Sequence, residues 1–146
     1  MPTRSARTAW TGGLQDGTGQ VELSSSGLGT YDVSFPKRAT EEANGATSPE
    51  ELVAAAHSAC YAMSLSGNID RAGGTTHAID VKADVTLGPD PAGGIRITGI
   101  HLTVRAEVEG LDEASFLDCA ERAKANCPLS KALTGTDITL DAALEG

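Results

Sequence analysis

Ser48-Pro49-Glu50-Glu51-Leu52-Val53-Ala54-Ala55-Ala56-His57-Ser58-Ala59-Cys60 is the stretch from which the fold can be read. Ser48 is a good N-cap, Pro49 suits the first helical position, and Glu51 completes a capping box. Leu52, Ala56, Ala59, Cys60 and Met63 then recur at helical spacing. Ala54, Ala55 and Ala56 add small residues, so the helix is expected to be buried over most of its surface. Gly73-Gly74 ends it. A helix of about 24 residues is about 36 Å long. That is a central helix for a chain of 146 residues and 14.9 kDa.

Upstream of this helix the sequence reads as short strands. Residues 5–11 and 18–24 alternate in character, with turn signals at Gly12-Gly13 and Asp16-Gly17. Thr30–Phe35 reads as a third strand closed by Pro36, and residues 37–47 read as a loop. Downstream, Ile79, Val81, Ala83, Val85 and Leu87 alternate as a half-buried strand, followed by a turn over Gly88–Gly94. Ile95–Val108 alternates with a change of phase at Gly99, the mark of a bulge. Asp112 N-caps a second helix to about Asn126, and Cys127-Pro128 opens a fresh helical turn. Thr136–Leu144 is a last strand. The expectation is one α+β domain over residues 1–146, with an antiparallel sheet and two helices in the order βββ–α–ββ–α–β.

Composition narrows the function. Eleven Lys and Arg against twenty Asp and Glu give a net charge of −9. Nucleic acid and anionic membranes are recognised by basic surfaces, so neither partner is expected. Aromatics are 3%, too few for a base-stacking platform. Hydrophobic residues at 40% argue against disorder. No apolar run is long enough for a transmembrane helix. The start, MPTRSARTAW, has two arginines but no apolar core of a signal peptide, so a cytoplasmic location is expected. Three cysteines, Cys60, Cys119 and Cys127, are too few for a disulfide scaffold.

Cys60 and Cys127 each have two readings. Cys60 is a small buried hydrophobe or a nucleophilic thiol held ionised by a positive group. Cys127, directly before Pro128, is a helix-capping residue or a thiol helped by the positive end of a helix dipole. Cys119 reads as core. His57, one turn before Cys60, is a packed histidine or the base of a Cys-His acyl transferase or hydrolase. His57, His77 and His101 do not pair with the cysteines at metal-ligand spacings, so no metal is expected.

The stretch Ser48–Cys60 also resembles the signature of the OsmC/Ohr family of hydroperoxide reductases. Ala123-Lys124-Ala125-Asn126-Cys127-Pro128-Leu129-Ser130-Lys131-Ala132-Leu133 resembles the same family's second-cysteine motif, and Phe35-Pro36-Lys37-Arg38 sits where the family carries its active-site arginine. The wording is closer to the OsmC branch, although Ala39 stands where an aromatic or apolar residue is common. The resemblance implies a thiol-dependent peroxidase without metal, flavin or nicotinamide. Cys60 would attack the peroxide and become a sulfenic acid. Cys127 would resolve it as a Cys60–Cys127 disulfide. Arg38 would hold the Cys60 thiolate, and Glu50 would orient Arg38. Electrons would come from an external dithiol, lipoyl-type or other, in oxidative stress defence. An apolar lining around Cys60 would favour an organic hydroperoxide with a hydrocarbon body.

Helix geometry adds a constraint. Glu50 and Cys60 are ten residues apart. On one straight helix they stand roughly 15 Å apart along the axis and about 80° apart around it. Either the helix breaks, or Glu50 of one subunit faces Cys60 of another across a two-fold axis. The second agrees with the intertwined homodimers and shared sites of the OsmC/Ohr family. A non-enzymatic redox-responsive dimer is the remaining alternative.

Overall fold

A computed structural model describes residues 1–145. Gly146, the end of the single domain expected above, lies outside them. The chain divides into two compact units, one over Met1–Leu52 and one beginning at Val53.

The first unit holds three strands, β1 (Arg7–Thr11), β2 (Thr18–Glu22) and β3 (Thr30–Val33), paired antiparallel in the order β1-β2-β3. Both faces of β1 are exposed. Trp10, Leu14, Leu28 and Tyr31 stand open to solvent. Pro36 does not simply close a strand. Phe35–Arg38 form a short helix, α1, with Ser34 as N-cap accepting from the Lys37 N–H at 3.4 Å. Proline's fixed φ and missing N–H suit a first turn as well as a strand end, and Ser34 decides between them. The loop after α1 turns back through Asn44 and Gly45, both at positive φ. The Thr47 N–H then donates to Asp32 O at 2.9 Å. This returns the chain to the end of β3 just before the next helix.

That helix, α2 (Pro49–Arg71), is unbroken over 23 residues. Ser48 caps it through Glu51 N–H at 3.1 Å, as expected. The Glu51 carboxylate accepts from the Thr47 hydroxyl, one residue earlier than the capping box predicts. At the far end Gly73 takes φ +90°, and Gly74 N–H reaches Ile69 O at 3.0 Å. This is a left-handed glycine stop.

The second unit continues with β4 (Thr75–Pro89), β5 (Ile95–Glu109), α3 (Glu113–Asn126), α4 (Pro128–Ala132) and β6 (Asp137–Leu144). β4 and β5 are antiparallel, with the expected bulge at Thr98, because Thr86 opposes Gly99 while Leu87 opposes Ile97. The sheet is not wholly antiparallel: β6 pairs parallel to β5. The helical connection through α3 and α4 carries the chain back along the sheet, so β6 starts opposite Gly99 and runs in the direction of β5. The expected single antiparallel sheet with two helices is therefore two three-stranded sheets, one of them mixed, with two further short helices.

The core joins three elements. Ile100, Leu102, Val104 and Ala106 of β5 pack with Phe116, Cys119, Ala120 and Ala123 of α3 and with Tyr61, Leu65 and Ile69 of α2. The Tyr61 hydroxyl donates to Ala120 O at 2.9 Å, tying α2 to α3. The buried stripe of α2 is His57, Tyr61, Leu65 and Ile69, four residues apart. The expected face differs: Ala55, Ala56, Ala59 and Met63 are exposed, Met63 at 75%. Spacing alone allowed both stripes, and the larger side chains took the interior. Leu65→Ala should cost about 2–5 kcal/mol in urea unfolding, whereas Leu28→Ala at an exposed turn should lie within about 0.5 kcal/mol of the parent.

Candidate functional site

The four residues singled out from sequence are brought together two by two. In the first unit Arg38, the last residue of α1, meets Glu50 in the first turn of α2. Arg38 Nη2 donates to Glu50 Oε1 at 2.7 Å, and Nε lies 3.1 and 3.0 Å from the two carboxylate oxygens. This two-pronged pairing fixes the guanidinium plane. Burial alone would raise the Glu50 carboxyl. The Arg38 hydrogen bond, with backbone and charge support, overrides it and holds the carboxyl below the usual range. The same bond raises Arg38 further, so the pair is fully ionised. Beside Arg38 lies a cavity of about 340 Å³, lined largely by apolar side chains including Trp10, Leu14, Val21, Val33 and Phe35.

In the second unit Cys60 on α2 meets Cys127. The residue before a proline is driven out of the helical region. Cys127 accordingly sits at φ −54° and ψ 130°, ending α3 and starting α4. The break leaves Cys127 buried, with its Sγ 3.1 Å from Cys60 Sγ. Both thiols are free. Burial pushes the Cys60 thiol up, the neighbouring Cys127 adds to this, and the Leu129 N–H acts the other way. The Leu129 N–H in the first turn of α4 thus bears on Cys60.

The hydrogen-bond partner of His57 is Ser130. The His57 ring is fully buried, its Nε2 lies 2.9 Å from Ser130 Oγ, and its Nδ1 has no hydrogen-bond partner. Ser130 was missed at the level of sequence. The available signal was its spacing, three residues after Cys127 as His57 is three before Cys60. Cys119 is buried in the core, with its thiol 3.6 Å from Asn68 O. Among the described residues no group of three or more His, Cys, Asp or Glu converges as a metal site. No helix among them is long and apolar enough to cross a membrane.

Comparison with known proteins gives a consistent result. A family model described as OsmC-like protein matches residues 41–141. The chain is 38% identical over 138 residues to the peroxiredoxin OsmC of Escherichia coli strain K12, covering 94% of each chain. It is 32% identical to the organic hydroperoxide resistance protein OhrA of Bacillus subtilis strain 168, covering 98% of each. The crystal structure of the organic hydroperoxide resistance protein OhrB of Bacillus subtilis matches with a TM-score of 0.74 at 26% identity, covering 95% of this chain and 98% of that one.

Burial lowers the pKa of His57, so the folded protein keeps the ring neutral where the unfolded chain takes up a proton near pH ~6.5. The unfolded state then binds more protons, and stability rises with pH through this window. The contribution is complete above the unfolded value and is lost as pH falls below it. Urea midpoints should therefore drop between about pH 7 and pH 5.5, and His57→Phe should flatten that part of the profile.

Proposed function

The chain belongs to the OsmC-like protein family, and on that footing we propose that it is a two-thiol peroxidase that reduces organic hydroperoxides. The observation that carries the reading is the contact of two free thiols at 3.1 Å, Cys60 half-buried and Cys127 enclosed. The names of the relatives, a peroxiredoxin and an organic hydroperoxide resistance protein, point the same way.

The Cys60 thiolate attacks the terminal peroxide oxygen. The S–O bond forms as the O–O bond breaks, and the alkoxide leaves with a proton as the alcohol. The Cys127 sulfur then attacks the Cys60 sulfenic acid. The S–S bond forms, the S–O bond breaks, and the thiol proton leaves with hydroxide as water. An external dithiol restores both thiols by two exchanges and is itself oxidised to a disulfide. Three free thiols suit a reducing, cytoplasmic compartment.

A thiolate at Cys60 needs a cation, since burial and Cys127 both raise its pKa. Arg38, ionised and oriented by Glu50, is the group we assign to that task. An unbroken α2 supports assigning Arg38 and Glu50 of one protomer to Cys60 of its partner in a homodimer. Two features of the single chain support a dimer: the exposed stripe of Ala55, Ala56, Ala59 and Met63, and the open Trp10, Leu14 and Tyr31. The apolar cavity beside Arg38 suits the hydrocarbon body of a hydroperoxide. Acyl transfer by Cys60 and His57 has no comparable support, since the hydrogen-bond partner of His57 is Ser130.

One equivalent of cumene hydroperoxide should reduce the thiol count from three to one per chain within seconds, with peptide mapping placing the disulfide at Cys60–Cys127. An unchanged count would overturn the peroxidase reading. Arg38→Met should slow the first step on the order of ten- to a thousandfold at neutral pH, by the 1–3 pKa units a close cation supplies. A mixed dimer of Arg38→Met and Cys60→Ser chains should keep about half the parent activity if the sites are shared, because one complete site survives. Sites contained in one chain would leave it inactive.

A further inference from the structure

We infer that Ser130 and His57 form a latch that holds the resolving thiol in register with Cys60, making both positioning residues for disulfide closure. The inference rests on the two-thiol cycle proposed above. Its basis is a pair of matched spacings. His57 and Cys60 stand three residues apart on α2, and Cys127 and Ser130 stand three residues apart across the start of α4. Residues at that spacing share one helix face. The two faces meet at two points, Cys60 Sγ to Cys127 Sγ at 3.1 Å and His57 Nε2 to Ser130 Oγ at 2.9 Å. One contact alone would leave α4 free to pivot. Two contacts about one helical turn apart define both its position and its rotation.

α4 needs such a device. It has five residues and no side-chain N-cap bond, far short of the length at which a helix holds itself. Its resolving thiol is only as well placed as its docking. The chemistry of the latch also argues for orientation over bulk stability. His57 is fully buried and makes one hydrogen bond, leaving Nδ1 unpartnered. A phenylalanine would fill similar space without stranding a polar atom, so the ring is a poor choice for packing alone. The less costly arrangement has Nε2–H donating to Ser130 Oγ, leaving Nδ1 a bare lone pair, since a stranded buried N–H is the rarer outcome. The latch then points one way, from α2 to α4.

Closure needs the Cys127 sulfur in line behind the Cys60 S–O bond. Displacements near 1 Å in such geometry cost up to about a hundredfold. Loss of the latch should therefore slow closure while leaving peroxide attack, which needs only Cys60 and its cation, near the parent rate. The Cys60 sulfenic acid should accumulate and, under excess peroxide, pass on to sulfinic acid.

The test compares Ser130→Ala, Ser130→Thr and Ser130→Val with the parent. Thr and Val have nearly the same shape and differ in the hydroxyl. Each protein is equilibrated in a glutathione and glutathione disulfide buffer, where closure consumes one glutathione disulfide and releases two glutathiones. The Cys60–Cys127 bond is read by mass spectrometry of alkylated peptides. The latch predicts an effective thiol concentration lower by about ten- to a hundredfold in the Ala and Val proteins, with Thr near the parent. It also predicts that His57→Phe reproduces the Ala loss and that the double variant loses little more. Ala and Val at the parent value would overturn it. So would a Thr protein that falls with Val, since shape would then be the cause, or a parent that forms no Cys60–Cys127 bond. Because this readout uses no peroxide, closure in the buffer without thiol loss to cumene hydroperoxide would overturn the peroxidase reading and leave the latch standing.

Discussion

Pro128 is the constraint on which the second half of the structure depends. A helix running through α3 would carry Cys127 past α2 on a regular spiral. The proline ring forbids helical ψ at the residue before it, so Cys127 takes ψ 130° and the chain restarts as α4. That one break makes Cys127 both the end of one helix and the start of another. It turns its sulfur onto Cys60 and sets Ser130 opposite His57. It also redirects the chain toward β6, which can then run parallel to β5.

The break has this effect only because α2 and α3 are already held. Tyr61, Leu65 and Ile69 bury against Phe116, Ala120 and the β5 face, and the Tyr61 hydroxyl satisfies itself on Ala120 O. These are apolar contacts with one well-placed polar bond, the combination that fixes helix register without leaving an unmatched group. The thiol pair is thus carried on the most buried part of the second unit. The ion pair of Arg38 and Glu50 is carried differently, on a short capped turn and the first turn of α2, joined by a loop that Thr47 ties back to β3. On such an edge Glu50 orients the Arg38 guanidinium without enclosing it.

Much of this was legible along the chain because it rests on local rules. Ser48 with Pro49, Asp112, Gly73 and Cys127-Pro128 mark helix ends through caps and forbidden dihedrals, which neighbours in sequence decide. The Gly99 change of phase located a bulge that the register confirms at Thr98. The α2 interior was less legible. Ala56, Ala59 and Met63 share a spacing as helical as that of Tyr61, Leu65 and Ile69, and periodicity cannot rank two stripes on one helix. Only the partner surfaces of β5 and α3 did so.

By itself, then, the sequence determined the ends of α2 and α3, which cysteines stand beside a proline or on an apolar helix, and the family signature around them. Tertiary structure decided the direction of β6, the buried stripe of α2, the partner of His57 and the contact of Cys60 with Cys127. The physical reason is range. Caps and turns are set by dihedral and hydrogen-bond preferences within a few residues. Strand direction and side-chain pairing across 67 or 73 residues depend on how whole elements dock, and alternating or helical spacing is the same for either outcome.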